Sequence, residues 1–267
     1  MLRTVLRLAS FALVACGRRE PPPPDRPSQP SLTVAVDAAA PTTGRRIVAV
    51  GQIAQPWHTG AWSPASITLA DVAAGDAIVV LGAYWGDLEA GASTLATDDH
   101  GALVRVIDQG PAIVGRKKPP VFAQLLVELD PAPGPHTITP PYLGGVAGDG
   151  TMYVVQIRGL TERRVVALGE RRITGAALAD ISVTSDGAAA DGDLVIALAG
   201  YDNTAPHAPG WSHPPPGWRA LGVQDDGANN VPSELCARVA TVGPQTVTWT
   251  WQDPTVNVAA AVIAAIR

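Results

Sequence analysis

Gly75-Asp76-Ala77-Ile78-Val79-Val80-Leu81-Gly82-Ala83-Tyr84-Trp85 returns, little altered, as Gly192-Asp193-Leu194-Val195-Ile196-Ala197-Leu198-Ala199-Gly200-Tyr201. Both copies open on Gly-Asp, run through β-branched and small apolar residues, and close on an aromatic. A strand with one face in water alternates apolar with polar residues. These do not, so each copy reads as a strand covered on both faces.

On either side of each copy the chain keeps a matching order. In the first half, strands are expected at residues 46–53, 66–70, 102–107, 121–129, 137–139 and 151–158. In the second they are expected at 178–184, 217–221, 234–240 and 256–266. Residues 234–240 parallel 123–129. Gly243-Pro244-Gln245-Thr246-Val247-Thr248 parallels Gly134-Pro135-His136-Thr137-Ile138-Thr139, identical at four of six places. No helical period interrupts the series. The pattern predicts an all-β fold, a two-layer β-sandwich of jelly-roll-like form with an internally duplicated strand pattern. The expected divisions are 1–15, 16–44, then two halves at 45–161 and 162–267. The repeated strands and the Ala-rich final strand need cover on both faces, so the halves are expected to pack together. Proteolysis is not expected to release them as separate stable pieces.

Composition agrees. Hydrophobic residues make up 46% and charged residues 16%, enough apolar material for an ordinary core. The 27 glycines and 25 prolines suit a chain of many short strands and turns. The formal net charge is −5 and no basic stripe runs along any element, which argues against nucleic acid as a partner. The loop Gly115-Arg116-Lys117-Lys118-Pro119-Pro120 holds the only lysines and reads as a solvated tip.

Arg3 and Arg7 make a short positive start, residues 8–15 an apolar core, and Leu13-Val14-Ala15-Cys16 its end. This describes a secretory signal peptide, too short to span a bilayer. The ending resembles the lipobox of bacterial lipoproteins: an aliphatic residue, a small or β-branched one, Ala or Gly, then Cys. The resemblance implies transfer of a diacylglyceryl group to the Cys16 sulfur, cleavage after Ala15 and acylation of the new amine. Gly17, where an Asp favours inner-membrane retention, implies an outer-membrane lipoprotein of the bacterial cell envelope, periplasmic or surface-exposed. One acyl chain holds marginally and two or three hold stably, at about 0.8 kcal/mol per buried CH₂. Arg18 to Pro30 is Pro-rich and favours extended polyproline II, so residues 17–44 read as a disordered tether. With Cys16 lipidated, Cys236 has no partner for an internal disulfide and reads as a small core side chain.

The Gly-Asp strand, the Thr97-Asp98-Asp99-His100-Gly101 turn, the Gly-Pro hairpin and the Ala-rich end together resemble β-sandwich domains of unassigned function in secreted bacterial proteins. The resemblance spans roughly residues 60–267 and departs at Ala102-Leu103, where an Asn and an aromatic are expected. It implies a jelly-roll-like fold and no known chemistry.

No Gly-x-Ser-x-Gly elbow, His-Glu-x-x-His, phosphate loop or dinucleotide fingerprint is present. His207 and His213 share a Pro-rich loop with Asp202 and read as loop residues rather than metal ligands. Asp98-Asp99 and Asp225-Asp226 read as turn residues, lacking the alternating oxygen ligands of a calcium loop. No catalytic residue, metal or cofactor is expected. Trp249 and Trp251 read as packing residues and Trp218 as a strand start. Trp57, His58, Trp62, Trp211 and His213 frame loops, where aromatics exposed on a sandwich can stack on sugar rings. They are the candidate ligand-binding residues, Cys16 the lipidation site. The expected role is a non-catalytic binding or structural module, its partners the bilayer and a glycan or envelope protein. The alternative is a hydrolase acting on envelope or extracellular polysaccharide, whose paired carboxylates would have to face each other across a cleft.

Overall fold

The computed structural model describes residues 31–34, 44–58, 65–86, 95–109, 121–141, 148–202, 214–224, 231–251 and 256–267. Cys16, Trp62, Trp211, His213, the basic loop and most of the tether lie outside them. The described chain is all β. In order come β1 (Ser31–Val34), β2 (Arg46–His58), β3 (Ile67–Val72), β4 (Ala77–Gly86), β5 (Thr97–Asp98), β6 (Val104–Asp108), β7 (Val121–Glu128), β8 (Gly134–Thr139) and β9 (Gly148–Arg158). Then come β10 (Val165–Thr174), β11 (Asp180–Thr184), β12 (Leu194–Tyr201), β13 (Arg219–Gln224), β14 (Ser233–Val239), β15 (Thr246–Thr250) and β16 (Val258–Ile266).

The strands form antiparallel sheets of order β1-β2-β9-β4-β7-β6, β3-β8-β5, β10-β16-β12-β14-β13 and β11-β15. Leaving aside β1, the two large sheets match position by position: β2, β9, β4, β7, β6 against β10, β16, β12, β14, β13. In each half the outer strands of the sequence pair first with last. β2 meets β9, β3 meets β8 and β4 meets β7; β10 meets β16, β11 meets β15 and β12 meets β14.

Three apolar cores separate four layers. One lies between the small sheet of β3, β8 and β5 and the first large sheet, with Ile67, Leu69 and Ile138 facing Ile78, Val80 and Phe122. Another lies between the second large sheet and β11-β15, with Ile181, Val247 and Trp249 facing Val195, Ala197 and Ile263. The third is shared between the halves, where Val79, Leu81 and Val155 meet Ile196, Leu198 and Val262. This accounts for the missing alternation in the repeated strands. Odd-numbered residues of β4 face the shared core and even-numbered ones the first half's own core. In β12 and β16 the even-numbered residues face the shared core and the odd-numbered ones the second half's own core. The halves therefore pack together, each a two-layer unit stacked on the other.

The approach at the shared core is close. A Cβ on Gly200 would lie 2.6 Å from the Ala83 Cβ, and one on Gly222 would lie 2.6 Å from the Tyr153 ring. Polar bonds seal the rim: Tyr153 donates to the Ser233 carbonyl (3.2 Å), and Gln52 Nε2 donates to Gln224 Oε1 (3.0 Å).

Three local expectations are corrected. Ser31–Val34, inside the stretch read as tether, pairs along the β2 edge, where its short β-capable sequence finds open backbone groups. β10 was not anticipated: no strand is expected between 158 and 178, yet Val165–Thr174 lies at a sheet edge with much of its surface in solvent. The parallel of 234–240 with 123–129 is one residue out of register. Ala83 pairs with Ala123 and Gly200, its counterpart, with Ser233, so Glu128 corresponds to Arg238. A slip of one residue in a strand exchanges its faces.

Candidate functional site

The Gly-Asp dipeptides that begin the repeated strands are structural. Gly75 and Gly192 take φ of +86° and +84°, a left-handed turn conformation that glycine adopts without penalty. Asp76 accepts from the Ala73 N–H (2.9 Å), from Gln156 Nε2 (2.6 Å) and from two nitrogens of Arg158 (2.7 and 2.8 Å). Asp193 accepts from the Ala190 N–H (2.7 Å), from two nitrogens of Arg267 (both 2.9 Å) and from Arg45 Nη1 (2.9 Å). Arg158 follows Ile157 at the end of β9, and Arg267 follows Ile266 at the end of β16, so one device is built twice. Burial alone would raise both carboxyl groups, but these donors outweigh it and hold each below its ordinary pKa.

A different cluster forms where β5, the end of β7 and β8 converge. The carboxylates of Asp98 and Glu128 and the imidazole of His136 place one ligand atom each within 4.8 Å of one another. β5 pairs with β8 so that Asp98 stands opposite Ile138, two residues from His136. The side chains of Asp98 and His136 are fully shielded from solvent. His136 Nε2 lies 2.7 Å from the Ala132 carbonyl oxygen, which can only accept, so Nε2 carries a proton. That orients Nδ1 toward Asp98 Oδ2, at 2.6 Å. Burial would lower the His136 pKa, but the Ala132 carbonyl and the Asp98 and Glu128 carboxylates raise it above its ordinary value. Glu128 is raised by burial and by its hydrogen bond with Asp98, against the opposing pull of His136 and the Ala102 N–H. Around the cluster, Asp99 accepts from the Thr137 N–H (2.7 Å) and pairs with His100 (2.8 Å), which pulls its carboxyl well below the usual range.

The corresponding place in the second half is filled differently. Arg238 stands where Glu128 does and Gln245 where His136 does. Arg238 donates to Gln245 Oε1 (2.7 Å) and lies 4.6 Å from the Trp218 ring centroid. Gln245 Nε2 donates to the Thr241 carbonyl (2.7 Å), repeating the bond of His136 to the carbonyl four residues back.

Of the residues expected to bind ligand, Trp57 and His58 form the end of β2, their side chains outside the described residues. Trp62, Trp211 and His213 lie outside them altogether. His58 pairs with Gly148, and Gly148 with Gly86, so β2 ends where β4 ends. Gly200 abuts Ala83, so β12 also ends there. His58 and Asp202, the last described residues before two of these loops, thus stand at the same end of the stack. Glu128, opposite Ile78, marks the other end. The Asp98 cluster therefore lies at the opposite end from the ends of β2 and β12. Trp249 and Trp251 are buried in the second half's core, and Trp218 packs there just before β13. Cys236 is also buried in that core, and burial raises its thiol pKa well above the ordinary value. A shallow groove of about 560 Å³ runs between β10 and β11, past Glu170, Asp180, Ser182 and Asp186.

The Asp98–Glu128–His136 cluster was not anticipated from the sequence. The signal that could have found it is a correctly registered comparison of the two halves, in which Glu and His on one side stand against Arg and Gln on the other.

No protein family matches the chain, and no curated protein is similar to it in sequence. A crystal structure of Cucumber Necrosis Virus aligns over 91% of each chain at 8% identity with a TM-score of 0.24, too low to bear on fold or function.

Proposed function

We propose that this chain is a lipid-anchored protein of the bacterial cell envelope that holds a non-catalytic β-sandwich module at the outer membrane. The observation that carries the reading is Leu13-Val14-Ala15-Cys16 at the end of a basic and then apolar start. Residues 1–15 are the signal peptide, Cys16 the acylated residue and the Pro-rich stretch the spacer. The module comprises halves at 45–161 and 162–267, descended from one jelly-roll-like unit. The matching sheet orders and the twice-built Asp–Arg clamp support that descent.

Binding is assigned to the loops carrying Trp57, His58, Trp62, Trp211 and His213. The common end of β2 and β12 supports this, because it gives two of these loops one point of departure. The partner chemistry is a glycan, whose apolar C–H faces stack on indole rings. Cells fed radioactive palmitate should label the wild-type protein and not Cys16→Ala; an unlabelled wild type refutes the anchor. On a glycan array, binding that is lost in Trp211→Ala supports the module. Turnover of a polysaccharide abolished by one acidic substitution makes the protein a hydrolase instead.

A further inference from the structure

We infer that Asp98, Glu128 and His136 form a structural site for one divalent transition-metal ion of the zinc class, present in the first half and replaced in the second. The ligand set is one imidazole nitrogen and two carboxylates, a combination that suits zinc. The geometry is that of a prepared site. A metal-ligating histidine ordinarily donates its other ring N–H to a carbonyl or carboxylate, which fixes the tautomer and aims the free nitrogen. His136 does this through Nε2 to Ala132, leaving Nδ1 aimed at Asp98. The metal takes the place of the Nδ1 proton and of the proton that Asp98 and Glu128 share, and both leave to solvent.

A second observation points to a cation independently of the histidine. Glu128 Oε2 is buried and has no hydrogen-bond partner among the described residues. A buried carboxylate oxygen left without a donor or a cation is costly. The second half resolves the same position with its own positive group, the Arg238 guanidinium, bonded to Gln245. The first half has an acid in place of that arginine, next to a second acid, with the His136 imidazole the basic group beside them, so one dication held by all three takes over the balance that their protons supply. The side chains of Asp98 and His136 are shielded from solvent, and the three protein ligands leave the ion's fourth position to a water.

Calorimetric titration of the full chain, solubilised in detergent, with Zn²⁺ alone tests this. One ion per chain should bind at micromolar concentration or below. His136→Gln should weaken binding at least about 100-fold, beyond the ~10–100-fold that loss of an outer partner costs. Glutamine is chosen because Gln245 keeps the same backbone bond in the second half, so the hairpin should fold. Glu128→Gln, close in shape to the natural residue, should weaken binding as well and serves if the first variant unfolds. A melting temperature that rises with Zn²⁺ in the wild type and not in the variants is the second expected readout. Absence of binding by the wild type overturns the inference. So does unchanged affinity in both variants, which would place the metal elsewhere on the chain.

Discussion

At Asp193 a fully buried carboxylate faces two guanidinium groups, Arg45 from before β2 and Arg267 from after β16. Removing one partner of a buried pair leaves the others uncompensated, at a cost of about 3 kcal/mol or more. Asp193→Asn should therefore lower the melting temperature, and more than Asp76→Asn, because Asp76 joins groups of one half while Asp193 also holds Arg45 of the other. The pH dependence has a definite sign. Both carboxyl groups sit below their ordinary pKa in the folded chain. Their contribution is complete above the unfolded value near pH 4 and is lost as the pH falls through the lower folded value. Denaturant unfolding between neutral pH and pH 2 should show the wild type losing stability in that acid range. Asp193→Asn should have the flatter profile, and equal slopes would refute the assignment. The Gly-Asp pair at each strand start was legible in the sequence as a turn. Its arginine partners were not, because Arg158 and Arg267 stand at the far end of each half and Arg45 before β2, and only sheet pairing brings them together.

Strands β4, β12 and β16 show how far residue pattern carries at the level of the element. Their lack of alternation was enough to require cover on both faces, and the cores supply it. What the pattern did not show was how near the covering sheet comes. Gly200 in β12 meets Ala83 in β4, whose methyl group has no rotamer by which to move away. Gly200→Val should force the sheets apart and destabilise by about 1–3 kcal/mol, measured by urea unfolding. An unchanged midpoint would show that the two strands do not touch as described. Edge elements were harder to read. β10 carries charges because part of its surface is in water, and β1 finds its place only because β2 has a free edge. For such strands hydrophobic pattern is weak, and the neighbouring strand decides.

For the molecule as a whole, the third core decides how the two matching sheets are arranged. Two sandwiches side by side would each leave the outer face of its own large sheet to solvent. Here the two large sheets turn those faces on each other, which is why alanines on both sides of β16 are buried. The halves differ where β7 and β14 end. One such place holds Asp98, Glu128 and His136, the other Arg238 and Gln245. Asp98 lay in a recognised turn and His136 in a recognised hairpin, but the sequence separations give no reason for them to meet. A register error of one residue also concealed that Glu128 corresponds to an arginine.

Local pattern by itself determined the all-β class, the repeat and the need for covered faces, since these depend on short-range periodicity and turn chemistry. The proposed N-terminal address likewise rests on local residues that need no fold to be read. Tertiary structure alone decided which faces cover which, which arginine closes each Gly-Asp turn, and that two acids and a histidine share one buried place. Those depend on pairings between residues far apart in the chain, and antiparallel register, set by the whole sheet, chooses them.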